Sequence, residues 1–326
     1  MRGLLVASAL LLTACGGPEW QMVQRGLPGA LLSVWGTSAT DVWAVGGDVN
    51  DGRGPMVVHF DGETWTRLET GHTGTLWWVF GFAGGPVFMG GEGGAILRYD
   101  GSTFTPMTTP GTNTVFGIWG ASPDEVWAVG GASDATGGFA WRLEGDAWVE
   151  EASLPVDVPT RAAIWKVYGR SADDAWLVGS NGVSLRWDGT ALTEGETGVG
   201  SSLFTVSANA ERYAAVGGFG TGAIVELEGT TWTNVTPDEG VGGLSGVVLG
   251  DGEIGYAVGE YGLVLERSAS GWAEVQTGLA TNRNLHAVWI APDGGVFAVG
   301  GQTSSLPVTD GILIHYGERI AEGALE

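Results

Sequence analysis

Trp43-Ala44-Val45-Gly46 decides the fold, because the same short apolar block ending in glycine keeps returning. Its further copies are Val87-Phe88-Met89-Gly90, Trp127-Ala128-Val129-Gly130, Trp176-Leu177-Val178-Gly179, Ala214-Ala215-Val216-Gly217, Tyr256-Ala257-Val258-Gly259 and Phe297-Ala298-Val299-Gly300. The mean spacing is about 42 residues, the length of a four-stranded unit in a radial array. Around the first copy, Leu31 to Trp35, Val42 to Gly46, Met56 to Phe60 and Thr64 to Leu68 read as strands A, B, C and D. Asp61-Gly62 joins C to D and suits a tight type I′ hairpin, where positive φ is needed. The turn returns at Asp100-Gly101, Glu144-Gly145, Asp188-Gly189, Glu228-Gly229 and Ser270-Gly271. Strands and turns alternate without a helical period, which argues against α/β architectures.

The strand D position that follows each turn is Trp65, Phe104, Trp148, Leu192, Trp232 and Trp272, one short of the number of blocks. The last copy stops at Ile312 to Gly317, while Trp20-Gln21-Met22-Val23 stands before the first copy with no unit of its own. The N-terminal strand is therefore expected to complete the last unit, removing an exposed sheet edge. These observations define an all-β, seven-bladed β-propeller of four-stranded antiparallel blades over residues 20–317, with a tail at 318–326.

Composition sets limits on partners. The chain has 326 residues, 14 Lys+Arg against 37 Asp+Glu, and a formal net charge of −23. Its only lysine is Lys166. Nucleic acids and anionic lipid surfaces would be repelled by such a body. A basic or cation-bridged partner fits it.

Met1-Arg2-Gly3, the apolar run Leu4 to Leu12 and the close Leu12-Thr13-Ala14-Cys15 form a cleavable export signal. The run is too short to span a bilayer. The segment resembles a bacterial lipobox, which implies removal of 1–14 and acylation of Cys15, with 15–19 as a tether. Ordinary secretion would instead leave Cys15 as a free thiol. Gly16, where inner-membrane lipoproteins often carry Asp, points to the outer membrane. With Cys15 acylated, no thiol is left for a disulfide or a zinc site. Trp20 enters at the bottom of the last blade. The five residues from Cys15 reach at most about 18 Å, so the bottom face is expected near the membrane.

Val178-Gly179-Ser180-Asn181-Gly182-Val183-Ser184-Leu185-Arg186-Trp187-Asp188-Gly189 resembles the repeat of photosystem assembly-factor propellers. Asp61-Gly62-Glu63-Thr64-Trp65 sets Asp directly before Gly, unlike the Asp-box of neuraminidase repeats. A lipidated propeller is similar, in address and fold alone, to the scaffold lipoprotein of the outer-membrane β-barrel assembly machine.

Trp35, Trp119 and Trp289 at the end of strand A, and Trp43, Trp127 and Trp176 on strand B, are expected as inter-blade core rather than sugar platforms. Of the adjacent pair Trp77-Trp78, one residue takes the repeated slot and the other lines the channel or meets solvent. A ladder at the end of strand C, His59, Arg98, Arg142, Arg186, Glu226 and His315, is expected to pair locally with Asp41, Glu125 and Asp174.

Catalysis needs a convergent set of unlike residues. His59, His72, His286 and His315 lack metal-ligand spacing, and no nucleophile elbow or Walker loop occurs. Asp48-Val49-Asn50-Asp51-Gly52 carries part of a calcium loop without its closing Glu and reads first as a turn. Long connections mark the binding face. Residues Gly47 to Pro55, Gly131 to Gly138 and Gly301 to Gly311 join B to C, and Glu151 to Arg161 joins D to A, all on the top. Asp48, Asn50, Asp51, Arg53, Asp134, Gln302 and Asp310 are the candidate binding residues on them. The reading is a monomeric, non-enzymatic envelope lipoprotein that binds a protein or surface component, with carbohydrate binding or glycoside hydrolysis as the alternative.

Overall fold

The computed structural model describes residues 17–320 and Leu325; the expected export signal and Cys15 lie outside them. Seven four-stranded antiparallel sheets form a ring, a seven-bladed β-propeller. Blade one is Leu31–Ser38, Asp41–Gly46, Val57–Phe60 and Trp65–Arg67, in the order A to D. The A strands of blades two to seven are Leu76–Gly81, Thr114–Ser122, Ile164–Ser171, Leu203–Ala208, Leu244–Leu249 and Asn284–Ile290. Each A strand touches those of its two neighbours, so together they form the inner wall.

The last blade is completed from the other end of the chain, since Glu19–Gly29 pairs with Thr309–Gly317 as its outer strand. Trp20 faces Tyr316, Met22 faces Ile314 and Leu27 faces Gly311. Both strands run further toward the top than the apolar stretches suggested. Bulges between Met22 and Gln24 and between Gln24 and Leu27 let the pairing continue past polar residues.

The C-to-D connections differ from the expected type I′ hairpin. In blades one, two and four the pairs Phe60–Trp65, Tyr99–Phe104 and Trp187–Leu192 enclose four residues, not two. Only the glycine has positive φ, 95° at Gly62. The aspartate acts through its side chain: Asp61 Oδ1 accepts the N–H groups of Glu63 and Thr64 at 2.9 and 2.8 Å. That Asx-type arrangement makes a wider turn stable.

Apolar clusters fill the spaces between blades. Trp43 and Val45 of blade one pack with Leu76 and Met89 of blade two. Trp119 and Trp127 pack with Ile164, Leu177 and Trp187, and Trp176 packs with Leu203, Tyr213 and Trp232. The recurrent tryptophans are thus core. Trp35 and Trp119 end against Gly81 and Gly169 of the following blades. There an added Cβ would meet the indole at 2.8 and 2.4 Å, so only glycine admits the ring.

The strand C ladder pairs less locally than expected. His59 meets Asp41 at 2.8 Å and Arg186 lies 4.0 Å from Asp174. Arg142 turns to Glu151, at 3.6 Å, and lies over the rings of Trp127 and Trp187. Glu226 reaches Arg267 of the next blade at 2.6 Å. A long side chain at a blade boundary meets a partner across the gap as readily as one on its own sheet.

Candidate functional site: the top face and the channel mouth

Every A strand begins with the same irregularity. Between Leu31 and Ser33, Leu76 and Trp78, Val115 and Gly117, Ile164 and Lys166, Leu203 and Thr205, Leu244 and Gly246, and Leu285 and Ala287 the ladder to strand B skips one residue. The skipped residues are Leu32, Trp77, Phe116, Trp165, Phe204, Ser245 and His286. A bulge re-aims its side chain out of the ordinary alternation. Here it brings these side chains together at the top of the inner wall.

Four of them form a continuous aromatic collar across blades two to five. Trp77 meets Phe116 edge-on at 5.3 Å between centroids, Phe116 meets Trp165 at 4.8 Å, and Trp165 meets Phe204 at 6.3 Å. His286 closes on Trp77 at 6.0 Å, and Phe219, 81% exposed, extends the series to the surface from Phe204 at 4.8 Å. At blade six the skipped residue is the small, polar Ser245. The repeated apolar-plus-one position carried this signal, since four consecutive blades hold an aromatic residue there. Sequence reasoning noticed only Trp77-Trp78. Trp77 joins the collar, while the Trp78 indole N–H donates to the Ile118 carbonyl at 2.9 Å.

Lys166 lies just below. Its Cα is on blade four, its ammonium group donates to the Phe116 carbonyl of blade three at 2.6 Å, and it sits 3.3 Å from the Trp78 ring centroid of blade two. It is 5% exposed, and burial pushes its pKa well below the usual lysine value. Gly117 lies along this path, where a side chain would start 3.1 Å from the Lys166 Cα. Burial, then the nearby charge of Lys166, holds His286 down to about 4. Its Nδ1 lies 2.6 Å from the Leu32 carbonyl, which can only accept, so Nδ1 carries the proton.

The top surface carries Val156, Phe219, Tyr261 and Leu306, four of the five large apolar side chains exposed among the described residues. The fifth, Ile254, lies in a bottom turn. Two adjoining hollows of about 490 and 400 Å³ flank blade six and share Gly242, Leu263 and Glu274.

The residues chosen from sequence lie on the top loops, where most of their polar groups serve the loops themselves. Asp48 accepts the N–H groups of Asn50 and Gly74 at 2.8 and 2.9 Å. Asp51 is held below the usual carboxylate range chiefly by its hydrogen bond to Arg67, 2.8 Å away. Arg53 pairs with Glu69, Asp134 accepts from Thr136, and Asp310 pairs with Arg283. Asn50, with φ 57°, is exposed, and Gln302 is half-buried. These residues are not gathered into one cluster. The oxygens of Asp48 and Asp51 face amide and guanidinium donors, an arrangement that makes a turn. Among the described residues no group of three His, Cys, Asp or Glu is placed to hold a metal.

No family model matches the chain, and no curated protein matches it. Solved structures share its fold. YCF48 from Cyanidioschyzon merolae is 16% identical with a TM-score of 0.69, over 92% of this chain and 98% of that one. A streptogramin B lyase is 14% identical with a TM-score of 0.71, again over 92% and 98%. YCF48 bound to a D1 peptide is 16% identical with a TM-score of 0.66, over 93% and 100%. The likeness is one of fold, which an enzyme and a peptide-binding protein share.

Proposed function

We propose that this protein is a non-enzymatic lipoprotein of the cell envelope, in which the propeller is a rigid platform that binds a protein or surface component on its top face. The observation that carries the reading is that Val156, Phe219, Tyr261 and Leu306, four of the five large apolar side chains exposed among the described residues, all lie on loops of that face. Exposed apolar anchors on one side of a rigid body are what a partner buries. YCF48, which shares the fold, has been solved with a peptide bound. The net charge of −23 favours a basic partner.

In this reading Cys15 carries the lipid and the membrane is the outer one. The described chain leaves the ring at the bottom, where Glu19 pairs with Gly317, so the tether turns the top face outward. Radiolabelled palmitate should enter the wild-type chain and not Cys15→Ser. Lipid-embedded quenchers should dim bottom-face fluorophores more than top-face ones, and equal quenching would overturn the orientation. Co-purification of the tagged protein from detergent-solubilised envelope tests the platform. A stoichiometric partner should be lost when Val156, Phe219, Tyr261 and Leu306 become serine, and a partner retained by that variant would refute the face assigned. The carbohydrate alternative has aromatic rings at the mouth in its favour, but the inner strands hold no carboxylate pair for hydrolysis. A glycan array reads binding alone.

A further inference from the structure

The charges are sorted radially. The chain has 37 Asp+Glu, yet none lies on the seven A strands, whose residues form the inner wall. The only lysine of the chain is on that wall. Lys166 has no carboxylate partner; its contacts are the Phe116 carbonyl and the Trp78 ring. A buried ammonium is costly unless paired. Above it, the collar offers partly exposed aromatic faces, and the indole N–H groups of Trp77 and Trp165 have no acceptor. A cation without its anion thus lies beside apolar faces at one mouth, where two buried indole N–H groups are also unsatisfied.

We propose that the channel mouth binds an organic carboxylate with a flat apolar body, the collar rings taking the body and Lys166 the carboxylate. In an acidic protein the seven inner strands carry no carboxylate, so an anion meets little repulsion from the wall itself. The apolar part stacks on Trp77, Phe116 and Trp165 as aromatic groups do on one another. The carboxylate supplies the counter-charge that the fold omits. Burial disfavours the charged form of Lys166 while it is unpaired, and a carboxylate beside it favours that form. The group facing it from blade seven is His286. The segments of blades two and three beside it, Trp78 and Phe116, bring no charge. This site is independent of the platform reading, which concerns the outer top surface.

The single lysine makes the test direct. Protein grown with lysine labelled at Cε and Nζ gives one side-chain NMR signal. Its titration midpoint should lie below that of free lysine and rise by at least about one pH unit with saturating 3-phenylpropionate. Acetate, lacking the body, and 3-phenylpropanol, lacking the charge, should each bind at least about tenfold more weakly. A peptide ending in phenylalanine as the free acid, compared with its amide, separates a chain end from a small acid as the source. Tighter binding of the free-acid peptide than of 3-phenylpropionate names the chain end, and the reverse names the small acid. An amide that binds as well as the acid overturns the proposal, as does phenylpropanol binding as tightly as the acid or an unmoved lysine signal. Lys166→Met should lose about tenfold in affinity, and unchanged binding would refute the assignment. Because the wild-type signal is read first, the test survives a variant that fails to fold. Loss of the envelope partner in a folded Lys166→Met would instead tie the channel to the platform.

Discussion

Lys166 and Arg267 are both buried cations, 5% and 8% exposed, in opposite surroundings. Arg267, at the bottom between blades five and six, is enclosed by Glu226 at 2.6 Å and by Glu253. Glu226 also accepts the Trp272 indole N–H at 2.7 Å, and Glu253 pairs with Arg212 at 2.7 Å. Every charge there has a partner, and the cluster joins two blades. Lys166, in the channel, has a carbonyl and a ring. Burial alone therefore does not mark a site. The contrast lies in whether the protein supplies the counter-charge, and where it does not, a ligand has a place.

Breaking the paired side should have the largest effect. Glu226→Gln leaves Arg267 buried with half its partners, and the expected loss is about 3 to 5 kcal/mol, read as a fall in the denaturant midpoint. Unchanged stability would show that Arg267 relaxes to solvent. The same cluster has a pH signature. Glu253 is held down to about 2, first by Arg212, then by Arg267. A depressed carboxylate gives stability that is complete above its unfolded value, near 4.5, and lost as pH falls toward 2.

On the channel side, His286 is buried neutral with a value of about 4 against an ordinary 6.5. The unfolded chain binds more protons between those values, so stability falls as pH drops from 6.5 to 4. His286→Leu should remove up to one proton's slope, about 1.4 kcal/mol per pH unit, in denaturation series across that window. His315, also near 4 through burial, supplies a similar slope that the variant keeps.

Smaller still is the effect of removing the unpaired cation. Lys166→Met should leave the protein as stable or about 1 kcal/mol more so, whereas Arg267→Met should destabilise it. It should also abolish the rise in stability toward pH 10.5 that a depressed lysine contributes. If the two substitutions behaved alike, the comparison would fail. Phe219→Ser, at an 81% exposed position, should change stability by under about 0.5 kcal/mol while weakening partner recovery.

The ring was legible because a propeller repeats a local pattern. Each Gly-ended block is a strand B, each turn is a C-to-D connection, and the missing strand D pointed to closure by the N-terminal strand. The turn type was misread at Asp61-Gly62, since the pair alone does not tell whether the aspartate acts through its backbone or its carboxylate. The collar was missed because a bulge moves one residue off the alternation, so Phe116, Trp165 and Phe204 look like any strand aromatic. The top loops were found by length, but length does not reveal that Asp48, Asp51 and Asp310 are spent on the loops' own turns and ion pairs.

By itself the sequence determined the number of blades, their strand order and the closing strand. Hydrophobic alternation and turn chemistry act over a few residues, and repetition multiplies them. Only the tertiary structure decided what the ring encloses. Lys166 is unremarkable on its own strand; it becomes a buried, unpaired cation because three blades converge on it, bringing a carbonyl from one and an indole face from another. Electrostatic environment is set by what approaches through space, and that is fixed only when the ring closes.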